Sequence, residues 1–313
     1  MTDNKRNTEQ AVAKIQRKKL SRKEKLYLSD KPPLTTTGLI LLIISYAILI
    51  AWAIIILWPL YQMTTAALNG SLGRYISLGS TFTFSLKHFK TLFNETHFLL
   101  WTKNTLFIAI STALLTLVVV SFTGYAYSRY RFKGRKASLM AIMLIQTIPA
   151  FAGITAYYTI HSIVASLVPG FSRQIWLIMI YAAGGIAGNT FILKGYIDGI
   201  SSELDDAARI DGCSNFQVYR LIIMPIARPM LAIIALWSFI GPFLDFLLPK
   251  ILLTDPKQYT LATGLFTLIS DMRHMQQPVF AAGGLLTAVP IIILFISLQK
   301  QLVSGLAKGS VKG

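Results

Sequence analysis

The feature that most limits the fold is a series of long apolar runs, each of which could cross a lipid bilayer. Residues 37–67 carry no charged side chain. The hydrocarbon layer is about 30 Å thick, and about 20 helical residues span it. Five further apolar stretches follow, at about 99–127, 137–160, 174–193, 229–248 and 280–298. Because only a helix satisfies its own backbone hydrogen bonds within lipid, the sequence predicts an all-α integral membrane protein with six transmembrane helices.

The distribution of basic side chains indicates how these helices would be oriented. The chain holds 30 Lys and Arg residues against 13 Asp and Glu, a net charge of +17 that would suggest nucleic-acid binding in a soluble protein. Of these bases, 22 fall in residues 1–36, 129–136, 194–228 and 300–313, and eight fall on the opposite side of the spans, including Lys103 near the start of the span 99–127. Cytosolic segments of membrane proteins are enriched in bases. The pattern therefore predicts that both termini are cytosolic.

Neither the chain ends nor the one cysteine and four histidines indicate a catalytic or metal site. Residues 1–36 hold ten bases and four acids but no apolar signal-peptide core. We expect a disordered cytosolic tail there, or a surface helix over 11–28 on anionic lipid headgroups. Residues 301–313 are predicted to form a short cytosolic tail.

One cysteine excludes an internal disulfide, and four scattered histidines lack zinc-site spacing, so we expect no metal.

The cytosolic loop 201–225 has more local order than a linker needs. A capping box, in which a serine and a residue three positions later bond to the helix backbone, is indicated twice. The two pairs are Ser202 with Asp205 and Ser214 with Gln217. Gly212 between them can end the first helix in the left-handed conformation, and Pro225 predicts the end of the second. The sequence thus predicts two short helices joined by a glycine elbow.

The first of these helices would present a shallow apolar face. Leu204, Ala207 and Ala208 share one side at helical spacing, with aspartates around them. Such a patch would suit a soluble partner with basic residues around a groove, although the loop could instead lie on the membrane surface. A DNA-binding helix-turn-helix is disfavoured, because residues 194–228 hold five acids against four bases. We expect no nucleic-acid partner.

The same loop resembles a known motif. It is similar to the EAA motif of ABC importer permeases, E-A-A-x3-G-x9-I-x-L-P. In this chain the motif begins with Asp206-Ala-Ala, continues after three intervening residues with Gly212, and ends after nine more with Ile222-Ile-Met-Pro225. Asp replaces the Glu of the motif, and Met replaces its Leu. The resemblance extends over most of the chain. Its other segments are Asn104-Thr-Leu106, Gly124 to Arg135, Phe243-Leu-Asp-Phe-Leu-Leu-Pro249 and Gly305 to Gly313. The last is similar to the end of the smaller permease subunit of maltose/maltodextrin importers, from which the long basic N-terminal tail departs.

Membership of that family would imply a type I ABC importer fold in the bacterial cytoplasmic membrane. The loop would fit a cleft of an ATPase subunit, so that closure of the ATPase dimer switches two permease subunits between inward-facing and outward-facing states. The resemblance implies that the following residues form the contact between the loop and the ATPase subunit: Asp205, Asp206, Ala207, Ala208, Gly212, Phe216 and Pro225. ATP and Mg²⁺ would be bound by the ATPase, since this chain lacks the phosphate-cradling G-x4-G-K-[ST] sequence.

The resemblance also implies partners on both sides of the membrane. A second, homologous permease subunit would complete the path, and an extracellular sugar-binding protein would deliver an oligosaccharide, with maltodextrin favoured. Asp271, Arg273 and Gln276 fall where these subunits contact the binding protein, and Ser310 to Gly313 fall where the C-terminus reaches between the ATPase subunits. An importer for a different sugar is an alternative, and an ion-coupled secondary transporter or channel is an alternative from another class.

A sugar path needs hydrogen-bonding groups and aromatic faces. The candidates within or beside the predicted spans are Asn104, Gln146, Tyr157, Tyr158, Asn189 and Asp245. Each could instead make an interhelical hydrogen bond. Asp245, the acid at the edge of a span, could line the path or be a structural partner for Lys250. A membrane-embedded hydrolase lacks support, because no spaced catalytic set of residues is present.

Overall fold

A computed structural model describes residues 36–76, 81–147 and 153–309. Residues 1–35, almost all of the predicted basic tail, lie outside the described residues, and so do Ser310 to Gly313, where the resemblance predicts a contact with the ATPase. The described ranges are almost entirely helical, with one isolated β-bridge between Asn69 and Phe84. The predicted all-α fold class is confirmed.

The helices follow one another with short connections. They are α1 (Thr36–Leu68), α2 (Lys87–Glu95), α3 (Phe98–Arg129), α4 (Arg135–Ile145), α5 (Ile154–Leu167), α6 (Arg173–Asp198), α7 (Glu203–Ile210), α8 (Asn215–Leu244), α9 (Leu247–Leu252), α10 (Leu261–Ser270) and α11 (Gln277–Gly309). Of these, α1, α3, α6, α8 and α11 are long and apolar enough to cross a membrane. They contain four of the six predicted spans and most of a fifth, 229–248.

The remaining predicted span, 137–160, is not a single helix. Helix α4 ends at Ile145, and α5 begins only at Ile154. Residues 146 and 147 form a turn, and residues 148–152, which include Pro149, lie outside the described residues. The six-span topology therefore stays a prediction, with the third span divided into two shorter helices.

Two helix ends also differ from the predicted limits. Helix α8 stops at Leu244, short of residue 248, because the backbone of Asp245 is extended and a separate helix follows it. Helix α11 does not stop before residue 301 but continues to Gly309. Five of the nine residues at 301–309 are Gln, Leu, Ala or Lys, which favour helix, although Gly305 and Gly309 do not. Most of the predicted C-terminal tail is thus the end of a long helix.

Helix α3 lies at the centre of the packing. It contributes a buried residue to each of three hydrophobic clusters, Ala109, Val120 and Ile108. It packs closely against α6 at Gly124, where an added Cβ would lie 2.9 Å from a methyl carbon of Leu193. Small residues let membrane helices approach this closely. The tight α3–α6 contact therefore depends on the absence of a side chain at this glycine.

The chain divides into two compact units, residues 1–61 and 62–313. The described part of the first unit is the N-terminal portion of α1, whose side chains are almost all apolar and exposed. The second unit contains the end of α1, the remaining helices and all three hydrophobic clusters.

The two ends of α3 hold different loops. Near its N-terminus the Trp101 indole donates to the Pro256 carbonyl at 2.9 Å, and the Asn104 amide donates to the carbonyls of Lys257 and Tyr259 at 2.8 and 3.0 Å. At its C-terminus Arg129 donates to the Ile200 carbonyl at 3.0 Å. The helix has 32 residues and is about 48 Å long at ~1.5 Å per residue. Loops 199–214 and 253–260 therefore lie at opposite ends of it.

Candidate coupling loop and transport path

The glycine elbow forms as predicted. Gly212 has a φ of +88°, in the left-handed region that favours glycine. The N–H of Cys213 closes α7 by donating to the Ala208 carbonyl at 2.9 Å. The second capping box is also confirmed, because the Gln217 N–H donates to Ser214 Oγ at 3.3 Å and the Ser214 N–H donates to Gln217 Oε1 at 2.6 Å.

The first predicted capping box is wrong. Ser202 is already in a helical conformation and its side chain caps nothing, whereas Ser201 Oγ accepts a hydrogen bond from the Glu203 N–H at 3.2 Å. The carboxylate of Asp205 is turned inward, where its Oδ2 lies 2.6 Å from Arg129 Nε. Since that carboxylate pairs with an arginine on α3, it does not bond back to the start of α7.

Pro225 does not end the second helix, contrary to the prediction. Residues Val218–Ile223 form a π-helical turn, in which the Met224 N–H donates to the Tyr219 carbonyl five residues earlier. Helix α8 then continues through Pro225 to Leu244. The wider turn removes the regular i→i−4 bonding with which a proline would interfere. The segment 201–225, which we call the coupling loop, is therefore continuous with a helix long enough to cross the membrane.

The exposed side of the loop is apolar at its centre. Ile210 is 87% exposed and Phe216 is 57% exposed, and Leu204 and Ala207 are exposed beside them. We call these four residues, with Gly212, the coupling surface. Asp206 and Asp211 are exposed at its rim, and Asp206 Oδ1 lies 3.3 Å from Arg209 Nη1. The arrangement is an apolar patch with acidic residues around it.

Two residues that were predicted to contact the ATPase subunit are instead packed against other helices of this chain. Asp205 is buried against α3, and Ala208 packs in the cluster that contains Ile197, Val218 and Ile223. Leu204, Ala207 and Ala208 therefore do not form one free face, because Ala208 is the residue through which α7 rests on the helices below it. Pro225 is only partly exposed.

The candidate path residues are not gathered in one place. Gln146 and Asn189 both lie at the glycine-rich part of α6, since an added Cβ on Gly188 would be 3.3 Å from Gln146 Oε1 and one on Gly185 would be 3.6 Å from Asn189 Nδ2. Tyr157 and Tyr158 are on α5, the first half-buried and the second exposed. The Tyr157 carbonyl accepts a hydrogen bond from the Trp176 indole at 3.0 Å. Contact of these four residues with sugar stays a prediction.

Asn104 and Asp245 are engaged in structural hydrogen bonds. The amide of Asn104 holds the loop at 257–259, as described above. Asp245 Oδ2 accepts from the Tyr181 hydroxyl at 2.9 Å, and Oδ1 accepts from the Leu247 N–H at 2.9 Å at the start of α9. The expected partner Lys250 does not pair with it, since the Lys250 ammonium lies 5.7 Å from the centre of the Tyr259 ring.

The loop predicted to meet the binding protein lies beside the segment before α2. The Tyr75 hydroxyl donates to the Met272 carbonyl at 2.8 Å, and Arg74 donates to the Arg273 carbonyl at 3.1 Å. Hydrogen bonds from His274 and from the Arg273 backbone N–H lower the pKa of the exposed Asp271 carboxyl. Gln276 is half-buried. Asp271 and Arg273 thus lie on an exposed, hydrogen-bonded loop at the end of α3 opposite the coupling surface.

Comparison with known proteins identifies the family of this chain. The family described as the inner membrane component of binding-protein-dependent transport systems matches residues 121–308, more than half of the chain. The chain belongs to this family. It is a multi-pass membrane permease, as the EAA-type motif predicts, and the alternatives of a secondary transporter, channel or hydrolase are wrong.

Relatives of the permease include two sugar-transport proteins from Bacillus subtilis (strain 168). The maltodextrin transport system permease protein MdxG is 41% identical over 280 residues, 89% of this permease and 99% of MdxG. The galactooligosaccharides transport system permease protein GanQ is 40% identical over 230 residues, 72% and 80% of the two chains. A chain of a bacterial ABC transporter for the import of the acidic polysaccharide alginate matches with a TM-score of 0.71 at 20% identity, covering 86% of this permease and 99% of that chain. This likeness supports the ABC importer fold.

Two residues of the coupling region were not identified from the sequence. Ile210 lies three positions after Ala207, so the helical spacing that selected Ala207 would also have found it. No sequence pattern could have identified Arg129. It is one of five bases in the segment 129–136, and it is far along the chain from its partner Asp205.

Substitution of Asp245 separates a capping role from a role in transport. We expect Asp245→Asn to keep the thermal stability of the permease, because the amide oxygen can still accept from the Leu247 N–H. Asp245→Ala should lower the free energy of unfolding by about 1 kcal/mol, the usual cost of a lost N-cap. Thermal unfolding of the purified complex measures both. Equal stability of the two variants would contradict the capping role, and loss of uptake by a stable Asn variant would assign the carboxylate to the path.

Proposed function

We propose that this permease is one of two membrane subunits of an ATP-driven importer for oligosaccharides, with maltodextrins as the first candidate, and that it moves sugar inward by alternating access. The observation that carries the coupling role is the left-handed Gly212 between two short helical segments, with Ile210 and Phe216 exposed around it. The names of MdxG and GanQ support an oligosaccharide. Maltodextrin is favoured because MdxG matches almost the whole permease.

The coupling surface would enter a cleft of the ATPase subunit. An exposed isoleucine and phenylalanine fit an apolar groove, and Asp206 and Asp211 at the rim fit basic residues around it. ATP and Mg²⁺ would be held by the ATPase dimer, and the permease would supply the moving part. Asp206, Ala207, Gly212 and Phe216 would make this contact directly, whereas Asp205 and Ala208 would act from beneath it.

The orientation follows from the positions of charge and of the two sets of loops. The coupling loop and the base-rich segment 129–136 are at one end of α3, which we assign to the cytosol together with both termini. The loop 271–276 would then be external, with Asp271, Arg273 and Gln276 available to the sugar-binding protein. The apolar, exposed residues 36–61 would contact lipid and the second permease subunit.

The importer and its sugar can be tested together in the complete complex with its binding protein, reconstituted in vesicles. We expect linear α-glucans to raise ATP hydrolysis several-fold and galacto-oligosaccharides to leave it at the basal rate. The matched control is the same complex without the binding protein, in which α-glucans should have no effect. Stimulation by galacto-oligosaccharides alone would contradict the maltodextrin assignment, and stimulation by no oligosaccharide would contradict sugar import.

A further inference from the structure

A buried ion pair connects the coupling loop to α3. Arg129 Nε lies 2.6 Å from Asp205 Oδ2, and the two side chains are only 10% and 4% exposed. The same guanidinium donates to the Ile200 carbonyl at 3.0 Å, just before α7. One arginine at the end of α3 therefore holds both the entry to the loop and its first helix.

Stability alone does not account for this pair. Removing two charges from water costs several kcal/mol per ion, and replacing such a pair by apolar residues of similar volume is often neutral or stabilising. Arg129 Nε and the second carboxylate oxygen, Asp205 Oδ1, are both buried without a hydrogen-bond partner among the described residues, so the contact is an ion pair by distance and the unmade hydrogen bonds add to its cost. What the pair does supply is a fixed geometry between α7 and the last turn of α3.

The second helix of the loop is attached to the same part of α3. The Tyr219 hydroxyl and Ser121 Oγ are hydrogen-bonded at 2.8 Å. The Tyr219 ring stacks on Phe122, with centroids 4.9 Å apart and an interplanar angle of 18°, and it meets the edge of Tyr125 at 5.2 Å. Both helices of the coupling loop thus rest on residues 121–129 of α3.

The connection from the loop to the rest of α8 is different. The π-helical turn Val218–Ile223 interrupts the regular bonding of α8, and Pro225 and Pro229 follow it within two turns. Such turns are common at functional sites, and prolines are common causes of helix bends. The turn itself is packed against α3, because Val218 and Ile223 are fully buried in the cluster that contains Val120 and Tyr125. The part of α8 better able to bend is therefore the proline-containing stretch that follows the turn.

We infer that the coupling loop moves as one body with the C-terminal end of α3, through a joint formed by the Arg129–Asp205 ion pair and the contacts of Tyr219, while α8 bends beyond this joint, at Pro225 and Pro229. Arg129 and Asp205 are positioning residues in this scheme, since they act through α3 and not on sugar or nucleotide. The inference rests on the proposed docking of the loop to the ATPase.

The test replaces the ion pair by apolar side chains of similar size, with Arg129→Met and Asp205→Leu combined. Uptake of α-glucan and ATP hydrolysis are measured in the same vesicles containing the complete importer and its binding protein. We expect a normal yield of complex but a clear fall in sugar transported per ATP hydrolysed. A purely structural ion pair would change yield or thermal stability and leave this ratio constant.

Two further variants control the result. Lys194→Met removes an ion pair of similar length, 2.5 Å to Asp198. It leaves in place the hydrogen bond from Ser128 on α3 to Asp198 Oδ1, and the ratio should stay at the wild-type value. Arg129→Lys keeps the charge and should keep most of the coupling. A second disruption, Tyr219→Phe with Ser121→Ala, removes both partners of one hydrogen bond, a change that is usually close to neutral for stability. This double variant should also lower the ratio.

The possible failures are distinguishable. An unchanged ratio in the ion-pair variant overturns the inference, and an unchanged ratio in the Tyr219 and Ser121 variant overturns it if the ion-pair variant does not assemble. If the ATPase does not copurify with the wild-type permease, or if Gly212→Asp transports normally, the proposed docking fails first. If docking and the Gly212 result are as expected but the ratio is unchanged in the joint variants, only this inference fails.

Discussion

Gly212→Asp should leave the permease in the membrane and uncouple ATP hydrolysis from sugar uptake. The glycine has a φ of +88°, a conformation that costs other residues roughly 1–2 kcal/mol. An added Cβ would meet nothing within 4 Å in this chain, so the fold itself should tolerate it. The new carboxylate would instead occupy the centre of the coupling surface. We expect sugar transported per ATP to fall roughly 10- to 100-fold, within the range for coupled sites.

Gly134→Asp is the matched control for this experiment. Gly134 has nearly the same φ, +86°, and an added Cβ there also meets nothing within 4 Å, but it lies in the turn before α4 and outside the coupling surface. The two variants share the backbone strain and the added charge and differ in position. The amount of each permease in the membrane, its uptake and its ATP hydrolysis are compared. Equal uncoupling by both variants would contradict a specific role of the elbow.

Gly264→Ala should have the largest effect on the fold. Gly264 is on α10, and its added Cβ would lie 2.2 Å from Cδ2 of Trp101 on α3. The indole cannot easily retreat, because it is buried and its N–H donates to the Pro256 carbonyl at 2.9 Å. Overpacking of this kind typically costs about 1–3 kcal/mol and occasionally more. We expect a lower thermal midpoint and less assembled complex.

Gly241→Ala provides the comparison within α8. An added Cβ at this position meets nothing within 4 Å, and alanine is favoured over glycine in a helix by about 1 kcal/mol. The variant should be at least as stable as the wild type. Thermal unfolding of the detergent-solubilised complexes, followed by gel filtration after heating, measures both substitutions. A Gly264→Ala permease as stable as Gly241→Ala would show that α3 and α10 are not packed as described.

Local signals made the elbow predictable. The left-handed glycine and the box of Ser214 and Gln217 each depend on residues a few positions apart, so the sequence alone contains the information. The long apolar spans are predictable for a similar reason, because lipid imposes the helix on any such run. Hydropathy does not register a break inside a run, and residues 137–160 were therefore predicted as one helix although two are present.

Non-local contacts explain most of what the sequence did not predict. Asp205 was expected to cap α7, but it pairs with Arg129 on another helix, which no periodicity within the loop could indicate. Pro225 was expected to stop a helix, and the π-helical turn before it made continuation possible. Asp245 was expected to pair with Lys250 or to face the path, yet its nearest partners are Tyr181 and the backbone of α9. In each case a distant or irregular contact overrode the local rule.

The length and attachments of α3 have a mechanical consequence. This 32-residue helix contains no proline and is tied to the 256–259 loop at its first turns and to the coupling loop at its last. A rigid helix that is held at both ends can tilt or slide, but neither end shifts without the other. If α3 moves in this way, a displacement of the coupling loop would also displace the 256–259 loop at the opposite end of the helix.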